Sequence, residues 1–169
     1  LVEDTGDLVT EFFNEGHDQV SSSINYVLPQ HVEQLTLTGS AVYATGNDLN
    51  NLLIGNELAN VMDGATGADQ MHGHAGDDRY IADNADDTVI EQTHQGNDTV
   101  YASVSYSTAA NVENLVLTGT AISAQGNELG NVLVGNAEGN RLSAAAGDDL
   151  LAGWMGDDQL DGGTGNDTY

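Results

Sequence analysis

The sequence predicts an all-β chain wound as a solenoid of short parallel strands, and three regularities carry that prediction. A nine-residue unit recurs, each unit holds one aliphatic or aromatic residue at a fixed place, and the whole pattern returns after 80 residues. In DLLAGWMGDDQLDGGTGND (149–167), Asp149, Asp158 and Asp167 stand nine apart, each two residues after a glycine (Gly147, Gly156, Gly165). A period of nine fits neither the 3.6 of a helix nor the 2.0 of a strand.

Eleven units can be written in this register. The first six are GNDLNNLLI, GNELANVMD, GATGADQMH, GHAGDDRYI, ADNADDTVI and, after two extra residues, THQGNDTVY. The later five are GNELGNVLV, GNAEGNRLS, AAAGDDLLA, GWMGDDQLD and GGTGNDTY. Position six is Asn or Asp throughout, and position eight is Leu, Met, Val or Tyr.

The longer period aligns residues 1–80 with 81–160 without a gap, at roughly 30 identical pairs of 80, far above chance for such a composition. The sequence therefore reads as one continuous solenoid of two repeat units, 1–80 and 81–169, each with metal-free coils followed by acidic nonapeptides. Leu1 is in phase with Ile81, and the chain does not open on methionine. It is expected to be a piece of a longer parent chain with other domains.

Each nonapeptide divides into six residues of turn and three of strand. The middle residue of a three-residue strand points to one face, and here that is position eight. One apolar side chain per nine residues can line a thin core if strands stack about 4.8 Å apart. Two nonapeptides then make one flattened coil, with strands on two parallel sheets and glycine turns on both edges. Glycine suits turns of positive φ or close backbone approach. The segments 20–45 and 100–125 carry VEQLTLTG and VENLVLTG, whose alternating Leu35, Leu37, Leu115 and Leu117 read as strands of further coils without metal.

This geometry stacks position six of one unit over position six two units on. Two carboxylates so placed repel by a few kcal/mol at the effective dielectric of a protein surface. A hard dication bound by aspartates and turn carbonyls, about six oxygens in all, answers that repulsion and suits Ca²⁺ better than Mg²⁺. Zn²⁺ would want His or Cys at those positions.

Composition narrows the function further. The chain holds 27 acidic residues against two basic ones, a formal charge of −25, which excludes nucleic acid as a partner because phosphate binding needs a cationic face. The same charge disfavours an anionic membrane or polyanionic polysaccharide. No segment has the length of a membrane span, and the absence of cysteine leaves neither disulfides nor thiolates. No nucleophile elbow, metalloprotease helix, P-loop or EF-hand spacing occurs, so a non-catalytic chain is expected.

The GGxGxDxUx pattern, most complete at 149–167, resembles the repeats-in-toxin family, the haemolysin-type calcium-binding repeats. The resemblance implies a right-handed parallel β-roll in a secreted, extracellular bacterial protein exported by type I secretion. It also implies a ligand set: carbonyls at positions two and four with Asp six of one loop, and carbonyls at one and three with Asp six two units on. Carried onto this sequence, one calcium site is Ala65, Gly67 and Asp69 with Ala82, Asn84 and Asp87. A second is Ala145, Gly147 and Asp149 with Gly162, Thr164 and Asp167. A third pairs His74, Gly76 and Asp78 with Thr93, Gln95 and Asp98, across a register that Glu91 and Gln92 interrupt. Asp158 is expected to share an ion with Asn140. Where Asn51, Asn60, Asn131 and Asn140 replace aspartate, a neutral amide favours weak binding or hydrogen-bonded asparagine ladders.

Low hydrophobicity with high charge predicts a chain disordered without calcium, so that binding energy becomes folding energy. Two other functions fit parts of the sequence. A carbohydrate-binding repeat module beside a polysaccharide-modifying enzyme would use Trp154, which replaces a turn glycine, to stack a glycan. An adhesin or surface-layer segment would self-associate with calcium. His72 and His74 read as turn histidines, and Tyr26 and Tyr106, which recur in register, as structural.

Overall fold

The computed structural model describes residues 1–13 and 15–169, and among them there is no helix. Every strand pair is parallel, because the chain always crosses to the opposite face before returning. Strands of one face are β1 (Gln19–Ser22), β3 (Gln34–Leu37), β5 (Leu52–Ile54), β7 (Gln70–His72) and β9 (Thr88–Val89), followed by β11 (Tyr106–Ser107), β13 (Ser123–Gln125), β15 (Arg141–Ser143) and β17 (Gln159–Asp161). The other face is a single sheet of eight: β2 (Tyr26–Val27), β4 (Tyr43–Thr45), β6 (Val61–Asp63), β8 (Arg79–Ala82), β10 (Thr99–Ala102), β12 (Asn114–Leu117), β14 (Val132–Val134) and β16 (Leu150–Ala152). With one strand per coil on that face, the chain makes about eight coils of a β-solenoid.

Most nonapeptide strands are three residues long, because each unit leaves only three after its turn. Position eight points inward as expected: Leu53, Met62, Met71, Tyr80, Val100, Leu133, Leu142 and Leu151 are fully buried, and Val89 nearly so. Each such burial stabilises by about 1.5–3 kcal/mol. The longer strands β1, β3, β8, β10 and β12 bury two alternate residues, which puts Leu35, Leu37, Leu115 and Leu117 in the same core. The segments around them are coils of the one solenoid, tighter than the rest: Gln19 pairs with Gln34 and Thr99 with Asn114.

Two features of the winding matter for the site. The first face splits into sheets of five and four strands between β9 and β11, where the Tyr106 hydroxyl donates to the Asp87 carbonyl at 3.0 Å and spans the break. The second is that Glu91 and Gln92, which interrupt the nine-residue register, leave the strand pairing across them intact. On the opposite face Arg79 pairs with Thr99 and Tyr80 with Val100, so the two extra residues are absorbed in the loop before β10.

Candidate metal centres at the stacked turns

Position-six side chains form two ladders, one along each edge of the solenoid. Along one edge, Asp69 Oδ1 accepts the Asn51 N–H at 2.7 Å and Asp87 Oδ1 accepts the Asp69 N–H at 3.0 Å. Along the other, Asp78 Oδ1 accepts from Asn60 N–H at 2.6 Å, Asp98 Oδ1 from Asp78 N–H at 2.8 Å, and Asp149 Oδ1 from Asn131 N–H at 2.6 Å. Asp167 Oδ1 continues that edge, accepting from Asp149 N–H at 3.2 Å. Each carboxylate thus fixes the turn one coil before it with a single oxygen.

In four of these carboxylates the other oxygen is left over. Oδ2 of Asp69, Asp78, Asp98 and Asp149 is buried and has no hydrogen-bond partner. These residues are at most 2 % exposed, and burying an ionised carboxylate is costly unless it is paired. No basic side chain pairs with them: both arginines are exposed, and the one approach of a basic group to a carboxylate within 4 Å among the described residues is His17 Nδ1 to Glu33 at 3.8 Å. Burial, opposed by the backbone bond from Asn51 and reinforced by Asp87, Asp83 and Asp63, pushes the Asp69 carboxyl up to about 6. Burial likewise raises Asp78 and Asp98 to about 7 each, with Glu91 adding to the shift of both. An all-oxygen donor set, crowded with negative charge and short of protons or cations, suits a hard cation.

The turns have the backbone such a centre needs. Position two is left-handed at Ala65 (φ 62°), His74 (71°), Ala145 (83°) and Trp154 (71°). Position four lies where only glycine is comfortable, at Gly67 (φ 140°), Gly76 (127°), Gly147 (128°), Gly156 (116°) and Gly165 (142°). The 144–149 turn keeps this shape although alanines replace its opening glycines. At Gly64 the requirement is space, because a Cβ there would collide with the Asp69 Oδ2 that curls over it.

Each expected set is brought together only in part, and the Ala82 carbonyl already accepts the Ser103 N–H at 2.9 Å. Asp69 and Asp87 meet, but both Asp87 oxygens already hold backbone N–H groups, Oδ2 from Asp83 at 3.2 Å and Asn84 at 3.0 Å. The Asn84 side-chain amide donates to the Gly67 carbonyl across the same gap. Ala82, buried, ends β8. In the second set the Gly147 N–H donates to the Thr164 carbonyl at 2.9 Å and Thr164 N–H to the Ala145 carbonyl at 3.0 Å. Gly162 sits beneath Asp167, where a Cβ would strike Oδ2. In the third, the Gly76 N–H donates to the Gln95 carbonyl at 2.7 Å, while Thr93 lies exposed in the preceding turn. Asp158, half-buried, accepts the Asn140 N–H at 2.9 Å.

The asparagine turns solve the same stacking problem without charge. Asn51 Oδ1 accepts the Asn47 N–H at 2.7 Å, and its Nδ2 donates to the Val32 and Glu33 carbonyls of the previous coil. Asn47 Nδ2 adds bonds of 2.7 Å to the Pro29 and Val32 carbonyls. Asn127 and Asn131 repeat the arrangement on Ala109, Val112 and Glu113. In these turns an amide donor at position six thus bonds the carbonyls of the previous coil.

Sequence reasoning missed three acids. Glu33 and Glu113 occupy ladder positions, their Oε2 atoms accepting the N–H of Asp18 and Asp98 at 2.8 Å each. Glu91, beyond the nine-residue register, turns inward and is 6 % exposed. Only the identity of the extra residue signalled it, since an acid in an insertion has no required place. Trp154 is 77 % exposed in its turn.

A parallel β-solenoid with aspartates stacked coil upon coil defines a class of cation-binding repeat proteins. The sequence model of the RTX calcium-binding nonapeptide repeat, in four copies, matches residues 45–80, 54–89 and 126–169, just over half of the chain. The protein belongs to that calcium-binding repeat family. No curated protein and no solved structure matches the chain. Among the described residues, no helix is long and apolar enough to cross a membrane.

Proposed function

We propose that the chain is a non-catalytic calcium-binding module of a larger secreted bacterial protein, disordered inside the cell and wound up by calcium outside it. The observation that supports this best is the row of buried, unpartnered carboxylate oxygens on Asp69, Asp78, Asp98 and Asp149. The residues that would hold the ions are Asp69 and Asp87 with the carbonyls of Ala65, Gly67, Ala82 and Asn84. Asp149 and Asp167 would act with Ala145, Gly147, Gly162 and Thr164, and Asp78 and Asp98 with His74, Gly76, Thr93 and Gln95. Asp158 would act with Asn140. Bound calcium supplies the positive charge that these turns lack.

The chain's own residues do the rest. Asp69, Asp78, Asp98 and Asp149 each hold the preceding turn with one oxygen and keep the second free. Position-four glycines let the backbone fold tightly enough to present carbonyls. Position-eight side chains close the core only when successive coils are stacked. Core and turns therefore form together, and each site at ten times its dissociation constant adds about 1.4 kcal/mol to folding. Extracellular sites of this kind bind at roughly 10⁻⁴–10⁻³ M, which matches the medium and not the cytosol.

Far-UV circular dichroism during a calcium titration, with magnesium as control, tests the proposal. A coil-to-strand transition driven by calcium is expected. A spectrum that stays coil at about 10 mM calcium, or that is already strand-rich in chelator at neutral pH, overturns it.

A further inference from the structure

We propose that Glu91 supplies a third carboxylate to the Asp78–Asp98 site and makes it the tightest calcium position in the chain, the one filled first. This rests on the calcium reading above and adds to it a ligand from outside the nonapeptide pattern.

Ligand oxygens of Asp78, Glu91 and Asp98 all lie within 4.8 Å of one another, the one such set among the described residues. The three residues are 1 %, 6 % and 1 % exposed. Each has one oxygen with no hydrogen-bond partner: Oδ2 of Asp78, Oε2 of Glu91 and Oδ2 of Asp98. The second oxygen of each is held in place, Asp78 Oδ1 by the Asn60 N–H, Asp98 Oδ1 by the Asp78 N–H, and Glu91 Oε1 by the Tyr80 hydroxyl. Tyr80 is itself fully buried. A side chain at position 73 would fill the same space, since a Cβ on Gly73 would collide with Asp78 Oδ2 and the Tyr80 hydroxyl.

The insertion explains how this comes about. Equivalent aspartates elsewhere are 18 residues apart, but Asp78 and Asp98 are 20 apart. Because β8 and β10 stay in register, the extra length bulges, and Glu91 enters the interior from the bulge. The other two expected pairs have two carboxylates each. In one, both Asp87 oxygens are engaged by backbone N–H groups; in the other, Asp167 is half-exposed. Ligand charge count is a main determinant of calcium affinity, so three pre-positioned carboxylates in a dry setting outrank two.

The test is titration of the whole chain with calcium by calorimetry and with terbium by emission excited through tyrosine. Glu91→Gln should weaken the tightest class by about ten-fold or more, while Asp149→Asn leaves that class unchanged. Tyr80→Phe should remove the sensitised emission that rises with the first terbium ion. If Glu91→Gln leaves the first class unchanged while Asp98→Asn weakens it, the three-carboxylate site is wrong and the calcium reading stands. If neither those two nor Asp149→Asn alters calcium binding, the calcium reading itself falls. Should Glu91→Gln not fold at any calcium concentration, Glu91→Asp keeps the charge but shortens the reach, and wild-type first-ion affinity in that variant overturns the inference.

Discussion

The backbone N–H of Asp78 donates to Asp98 Oδ1 at 2.8 Å, although 20 residues of chain, two more than a regular coil, separate them. The bond joins the main chain of one turn to the carboxylate of the next. It recurs between Asn51 and Asp69, Asn131 and Asp149, and Asn140 and Asp158. Position six is thus both the clasp between coils and the source of their repulsion.

Removing a metal-facing aspartate and removing an asparagine should therefore fail differently. Asp149→Ala is expected to lower the number of calcium ions bound at saturation and to raise the folding midpoint. Asn51→Ala should leave the ion count unchanged but lower the melting temperature in excess calcium. It strips donors from the Val32 and Glu33 carbonyls and an acceptor from Asn47, and an orphaned buried polar group costs about 1–3 kcal/mol. Calorimetric stoichiometry paired with thermal melts separates the two. The same ion count in both variants would remove the distinction between charged and amide turns.

Acid should partly replace calcium. Asp69 titrates near 6 in the folded chain and Asp78 and Asp98 near 7, against 3.8 when unfolded. Since the folded state then binds more protons, its stability rises as pH falls. The penalty is fully present above about 7 and fades towards 4. In chelator, strand content should be greater at pH 5 than at pH 8, while apparent calcium affinity falls over the same interval. Strand content that drops on acidification in chelator would contradict the burial of these groups.

Gly147→Ala should lower the melting temperature in saturating calcium by several degrees. At φ 128° an alanine is strained, by about 1–3 kcal/mol, and its Cβ would strike the Leu129 carbonyl. Gly6→Ala is the control: only an Asp4 oxygen at 4.0 Å approaches that position, so its melt should match wild type.

Leu133→Ala should cost about 3 kcal/mol, or roughly 6–12 °C in the melt of a chain this size. Leu133 is fully buried and is the single inward residue of β14, so no neighbour on its own strand can close the gap. A shift under about 2 °C would show the core to be more adaptable than a one-residue layer permits.

The core and the winding were legible in the sequence because a strand of three residues offers one inward position, and Leu53, Met71 and Leu142 each hold it. The aspartate ladders were legible for the same periodic reason. What period nine could not reveal lies where the coil length changes. Glu33 and Glu113 clasp coils through 15-residue returns, outside any nonapeptide. Glu91 is placed by a bulge whose direction depends on β8 and β10 keeping their pairing. Hydrogen-bonded asparagine ladders were one of the two outcomes the sequence offered for Asn51, but which carbonyls Asn47 and Asn51 reach depends on side-chain rotamers, which composition does not encode.

One consequence lies in the alternation of faces. Matching strands of the two 80-residue copies, such as β1 and β10, are nine half-turns apart and so lie on opposite sides. The copies are related by a half-twist and a climb of roughly 22 Å, as steps are in a spiral stair. Tyr43 and Arg79 look outward on one side, and their counterparts Ser123 and Gln159 look outward on the other. Further copies added in this phase would give a rod whose markings repeat in azimuth only every second copy, about 43 Å along, so a partner gripping neighbouring copies must reach around the shaft.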